Sequence, residues 1–352
     1  MKHPISVLFG MVMLIASSVA GAMPFSNLFV LGDSLSDTGN LFLATGASPL
    51  FPEPMPAAEH YDQGRFSNGP AYVELLAGQL GLEARPSFAG GTNYAVGGAR
   101  SRYHRFDLQP NGEPPAGPDP MFFPFSLLGQ EQRFQADVGP NLDPDALYVV
   151  WAGSNDLYEV LTLFEHDGGD TTRANLRLQE AVTDIASIIG RLVDAGAETL
   201  LVPKVPDIGL TPEMVAKGPM AQAIATGYSQ ALNELMDGML ADLSANIIRF
   251  DTFEFLRAAV MDPERYGFDN VTEPCLDNFF VAGPIDPSRP VSTCDDPEQY
   301  LFWDIIHPSA ATHTLLAGAM RRAVPEPDLL FLLGAGLALT WLVWWFRNRR
   351  LQ

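Results

Sequence analysis

The stretch Phe29-Val30-Leu31-Gly32-Asp33-Ser34-Leu35-Ser36-Asp37-Thr38-Gly39-Asn40 decides the fold. Residues 28–31 form an apolar run of the kind that makes a buried strand. Gly32 breaks it, and a polar stretch able to start a helix follows. Ser34 is thereby placed on a tight strand-to-helix turn, with its hydroxyl exposed at the strand's C-terminal end. Its backbone N–H then lies near a helix N-terminus, where developing negative charge is stabilised. This is the mechanical idea of a nucleophile elbow, although the pattern is not G-x-S-x-G. Ser34 and Asp37 could equally cap a helix. The stretch alone does not separate these readings; later stretches do.

Outward from this strand, apolar runs and helical periods alternate. Helices are predicted over 71–80, 127–138, 175–194, 221–243, 253–260 and 309–323, the last with Pro308 in its first turn. Strands are predicted over 146–151, 199–202 and 246–250. Gly91-Thr92-Asn93-Tyr94-Ala95-Val96-Gly97-Gly98-Ala99 reads as a short strand ending in a glycine turn. Gly153-Ser154-Asn155-Asp156 reads as a strand-end turn. Residues 46–70 and 262–299 read as loops, and 100–125 as a loop carrying apolar side chains, either a pocket wall or a packed surface. Such alternation argues for an α/β fold with a parallel sheet covered on both faces. Ligands bind such sheets beyond the C-terminal strand ends, where Ser34, Gly97–Gly98 and Asn155 fall.

A nucleophilic serine needs a base. Of the histidines His3, His60, His104, His166, His307 and His313, only His307 has an acid three residues before it, Asp304. At that spacing Asp304 can accept from one ring nitrogen and fix the tautomer that turns the other toward a serine. A lone Asp-x-x-His is more often a surface turn. Here it sits just before the last helix of an α/β pattern. Acyl transfer also needs donors for an oxyanion. The Ser34 N–H, a glycine N–H from Gly97 or Gly98, and the Asn155 side chain can supply them. Each motif alone has a bland reading as a turn or a cap; the set, in this order, argues against it.

Composition bounds the class. The 352 residues carry 42 acidic against 21 basic side chains, a net charge of −21, which repels nucleic acid and anionic lipid heads. Residues 1–22 have Lys2, a short apolar run and an Ala20-Gly21-Ala22 end, the pattern of a secretory signal peptide. Val324-Pro325-Glu326-Pro327 precedes the uncharged stretch 329–346, which ends at Arg347-Asn348-Arg349-Arg350. As a helix that stretch spans about 27 Å, enough for a bilayer, with the arginines on the cytoplasmic side. In an exported chain Cys275 and Cys294 would form one disulfide. Two cysteines without nearby histidines make a poor metal site, and no metal or organic cofactor is implied.

These blocks resemble the GDSL, or SGNH, serine esterases and lipases over most of residues 25–323. Gly-Asp-Ser-Leu at 32–35 matches the block of the nucleophile, Ser34. Asn93 to Ala99 resembles the block of the oxyanion glycine, for which Gly98 is preferred over Gly97. Gly153-Ser154-Asn155-Asp156 resembles that of the amide donor, Asn155, and Asp304-Ile305-Ile306-His307 that of the Asp/His pair. The resemblance implies a flavodoxin-like α/β/α sandwich with a parallel sheet of about five strands, over a domain 23–323, and hydrolysis of a carboxylic ester, phospholipids included. Acyl transfer, or deacetylation of polysaccharide, stays open on the same scaffold. So does a rival of another class, a non-catalytic matrix or carbohydrate-binding surface protein. Residues 324–352 resemble a PEP-CTERM sorting signal. That implies a Gram-negative envelope protein, anchored in the inner membrane through 329–346 and then cut by an exosortase for delivery to the surface.

Overall fold

The computed structural model describes residues 25–103 and 125–324. The leader over 1–22, the apolar stretch 329–346 and residues 104–124 of the Phe-rich loop lie outside the described residues. Among the described residues four parallel strands form the central sheet: β1 (Leu28–Gly32), β2 (Leu147–Trp151), β3 (Thr199–Leu201) and β4 (Asn246–Ile248), in that spatial order. Every residue of β1 and β2 is buried, as unbroken apolar runs in a two-faced sheet must be.

The parallel sheet covered by helices is as expected, with four strands among the described residues against an expectation of about five. Residues 92–96 do run along the free edge of β1: Val30 N–H bonds Thr92, and Tyr94 and Val96 N–H bond the carbonyls of Val30 and Gly32. The ladder stops there because the Gln130 side-chain amide intervenes. It accepts from Gly32 N–H and donates to the Gly32 carbonyl, both at 2.9 Å. Only Asn93 then pairs in register, as an isolated bridge to Val30.

Helices α1 (Asn40–Gly46), α2 (Tyr72–Gln79), α3 (Leu127–Val138), α4 (Ser154–His166), α5 (Thr172–Asp194), α6 (Pro212–Lys217), α7 (Pro219–Leu240), α8 (Thr252–Met261) and α9 (Ala310–Ala323) surround the sheet. On one face Phe29, Leu31, Tyr148, Val150 and Leu200 pack against buried residues of α3, α4, α5 and α7, among them Phe134, Val160, Ile185 and Met236. The other face carries Trp151, which meets Tyr72 of α2 edge-on at 5.0 Å, and α2 packs on α9. Among the described residues no helix is long and apolar enough to cross a membrane.

Three further readings change. The turn at Asn155 is the first turn of α4. Pro308 precedes α9: it bridges back to Phe302, and the Ser309 hydroxyl accepts Thr312 N–H in its place. The cysteine region is an ordered subdomain rather than a plain loop. Strand β5 (Asn270–Pro274) pairs parallel with β6 (Tyr300–Phe302), and two short antiparallel pairs lie between them. Cys275 and Cys294 are bonded. Cys275, Leu276, Phe279 and Trp303 bury one another together with Tyr61.

Candidate active site

The chain leaves β1 through a single turn in which Ser36 and Asp37 N–H both bond the Asp33 carbonyl at 3.0 Å. Ser34 stands on this turn, at the C-terminal end of the sheet as its sequence predicts. The helix N-terminus expected at Ser34 is instead held by Asp37. Its carboxylate accepts from Gly39, Asn40 and Leu41 N–H at 2.8, 2.6 and 3.1 Å, and from Gly97 N–H at 2.8 Å. Burial still pushes Asp37 up to about 6, the four N–H donors offsetting it only in part. Asp37 therefore does the capping, and the Ser34 hydroxyl is left for another partner.

That partner is His307. Its Nε2 lies 2.8 Å from Ser34 Oγ, and its Nδ1 lies 2.7 Å from Asp304 Oδ2. The other Asp304 oxygen accepts from Ile306 and His307 N–H at 2.9 and 2.7 Å. A buried carboxylate on Nδ1 places the imidazole proton there and turns the Nε2 lone pair to the serine. The ring lies between Phe66, at 5.1 Å, and Phe280, stacked at 5.8 Å. Ser34 and His307, 273 residues apart in sequence, are thus brought into one line with Asp304. Among the other described histidines, His313 is buried and accepts Tyr72 N–H at 3.1 Å, burial holding it neutral with a pKa lowered to about 3.

Gly97, Gly98 and Asn155 line one cavity with Ser34 and His307. The two glycines differ. A Cβ on Gly97 would fall 2.1 Å from the Phe66 ring, and its N–H is spent on Asp37. Gly98 has φ +79°, a conformation that favours glycine, and follows directly at the cavity. Asn155 is the second residue of α4.

Behind Asn155 lies a group of charges that the sequence reading missed. Asp156 accepts from Ser101 N–H at 3.1 and 3.0 Å, from the Ser101 hydroxyl at 2.7 Å and from Arg177 at 2.7 Å. Arg177 Nε lies 3.0 Å from Glu159, and Arg100 reaches Glu159 at 3.5 Å and the Asn155 carbonyl at 3.2 Å. All four charged side chains are buried. They clamp the chain just after Gly97–Gly98 onto the first turn of α4. The sequence signal was available: Arg177 falls on the same stripe of α5 as Ala181, Ile185, Ile188 and Leu192. Asp33, also missed, is buried beside Ser34. Burial raises it to about 7, and a bond from Leu35 N–H only partly opposes this.

Among the described residues no group of three or more His, Cys, Asp or Glu side chains is placed to hold a metal ion. The family model for GDSL-like lipases and acylhydrolases matches residues 28–320. The chain belongs to this family of ester-bond hydrolases. Proteins similar to it include a thermolabile hemolysin of Vibrio parahaemolyticus, 28% identical over 84% of this chain and 63% of the hemolysin. A phosphatidylcholine-sterol acyltransferase of Aeromonas hydrophila is 24% identical over 90% of this chain and 95% of its own length. This GDSL-family chain thus spans less than two thirds of the hemolysin but nearly all of the acyltransferase. Among solved structures, an acetylxylan esterase of Geobacillus stearothermophilus covers 87% of this chain and 98% of its own at 13% identity, with a TM-score of 0.42.

Proposed function

We propose that the chain is a serine ester hydrolase in which Ser34 is the nucleophile, His307 the general base and acid, and Asp304 the group that orients His307. The observation that carries this is the continuous line from Ser34 Oγ to His307 Nε2 (2.8 Å) and from Nδ1 to Asp304 (2.7 Å). His307 takes the Ser34 proton as Oγ bonds the ester carbonyl carbon. Negative charge moves to the carbonyl oxygen, facing Ser34 N–H, Gly98 N–H and the Asn155 amide. The C–O bond to the alcohol then breaks, and His307 gives the alcohol its proton. Water, deprotonated by His307, adds to the acyl carbon; the bond to Ser34 Oγ breaks, His307 returns its proton to Oγ and the acid is freed.

The clefts that meet at Ser34 support an ester with apolar substituents. One is lined by Leu35, Trp151, Ile208, Phe255 and Phe302, the other by Leu41, Met55, Phe66, Phe280 and Val281. A panel of esters from acetylated sugar through short acyl chains to phospholipid tests this. Long acyl chains are expected to give the highest kcat/KM; acetylated sugar as the best substrate would contradict it. Acyl transfer is a second reading, favoured by the full-length likeness to the Aeromonas acyltransferase. Adding an alcohol acceptor to the assay and measuring new ester against free acid separates the two.

Export completes the proposal. The leader pattern over 1–22, the bonded cysteines and the Pro-Glu-Pro, apolar and arginine order at 325–350 support secretion followed by exosortase-type cleavage near 324–327. Mass spectrometry of the protein from a native host tests it: recovery of an intact Arg349-Arg350-Leu351-Gln352 end outside the cytoplasm would leave a permanent anchor instead.

A further inference from the structure

We propose that Tyr61 is a positioning residue that ties the Asp304–His307 pair to the wall of the ester cleft, an inference that rests on the roles just given to Ser34, His307 and Asp304. Tyr61 is 3% exposed and uses both functions of its hydroxyl. It donates to Asp304 Oδ2 at 2.7 Å and accepts Val281 N–H at 3.0 Å. The Asp304 oxygen it reaches is the one that holds His307 Nδ1. Among the described residues no other side chain besides His307 bonds Asp304. Burial and the Asp304 charge push the Tyr61 hydroxyl far above its ordinary range, so it stays a donor.

The second bond explains an outlier. Val281 has φ +57°, a backbone region that a β-branched side chain rarely occupies and that persists only when its surroundings hold it. Tyr61 holds its N–H, and Ala57 N–H holds its carbonyl at 2.8 Å. The preceding residue, Phe280, is the ring stacked on His307, and both Phe280 and Val281 line the cleft with Ser34. One hydroxyl thus sets the charge felt by the imidazole and the position of the wall beside it.

Tyr61→Phe keeps the ring and removes both bonds. Asp304 then carries more of its negative charge toward His307, which favours the imidazolium. The other titratable groups near the ring, Asp33 beside Ser34 and His313 on α9, are untouched, so a change in titration reports Tyr61. The acid limb of kcat/KM is expected to move up by about one pH unit. With Val281 released, KM for long-chain esters should rise ~3–10-fold while plateau kcat changes less. An acid limb unmoved within about 0.2 unit would overturn the inference, whatever the loss of activity.

Two additions keep the test clean. Val281→Gly removes the Val281 side chain from the wall but leaves the Tyr61 bond to Asp304. It should raise KM with the acid limb in place, and a displaced limb would show that the wall, not Tyr61, sets the titration. The imidazole titration of His307, followed by NMR in Ser34→Ala with and without Tyr61→Phe, needs no turnover. It should show the same upward displacement, and coincident curves would reject the role of Tyr61. Wild-type activity in Ser34→Ala would instead reject the hydrolase mechanism, an outcome distinct from failure at Tyr61.

Discussion

Replacing Arg177 by Met tests the buried charges that fix the glycine turn against Asn155. Arg177 meets Asp156 at 2.7 Å and Glu159 at 3.0 Å, with side-chain exposures of 5%, 0% and 0%. Four charges, two of each sign, balance in this group: Arg100, Arg177, Asp156 and Glu159. Met keeps the apolar stem and removes one guanidinium, leaving two buried carboxylates facing one cation. Removing one member of a buried pair costs about 3–5 kcal/mol. Against a total stability of ~5–15 kcal/mol this is large. At 2–4 °C per kcal/mol, Tm should fall roughly 6–20 °C. Thermal and urea unfolding of wild type, Arg177→Met, Glu159→Gln and the double variant measure it. Because the two side chains touch, the double variant should be at least ~1 kcal/mol more stable than the sum of the single losses. The surviving folded Arg177→Met should also turn over more slowly, since Ser101 and Asn155 lose their common support. A loss below about 1 kcal/mol, or strict additivity, would refute the idea that these charges act as one clamp.

If the Asn155 amide donates to the oxyanion as proposed, Asn155→Ala should lower kcat by about 10²–10³ with a smaller change in KM; an effect confined to KM would argue against that placement. Asp33 binds its proton more tightly folded than unfolded, so between about pH 4 and 7 the folded state holds more protons and stability falls as pH rises. Asp33→Asn removes that term: it should raise stability above pH 7, with the gain shrinking toward pH 4, and a pH-independent gain would show that ionisation is not the cause. Reduction of the Cys275–Cys294 bond frees a loop closed over nineteen residues and should cost ~2–4 kcal/mol and lower the temperature at which activity is lost. An unchanged inactivation temperature after confirmed reduction would separate this subdomain from the stability of the site.

What the sequence made legible is what short-range pattern controls. The apolar runs of β1 and β2 and the periodic faces of α2, α3 and α5 carry their own periods, so their positions were readable to within three residues. Ser34, Asp304 and His307 were readable because each sits at a strand end or helix start with a fixed local spacing. Long-range side chains were not. Gln130 ends the fifth ladder from 98 residues away, and Tyr61 reaches Asp304 across 243. Nothing in the local period of either residue announces such a bond. Helix α4 was missed because its buried face includes Asp156 and Glu159, acids that only their arginine partners make tolerable inside. The cysteine region hid its strands because they are two to five residues long.

The central claim is that Ser34 forms the covalent bond to the acyl group and that His307 makes it able to do so. The most direct measurement is mass spectrometry of the enzyme after reaction with an alkyl phosphonate ester, in wild type, Ser34→Ala and His307→Ala, each checked for native thermal unfolding. Wild type should gain one adduct on the peptide holding Ser34 and lose its esterase activity in step. Ser34→Ala should gain none, and His307→Ala should react at least ~10³-fold more slowly. An adduct on another residue, or undiminished ester hydrolysis by folded Ser34→Ala, would contradict the account.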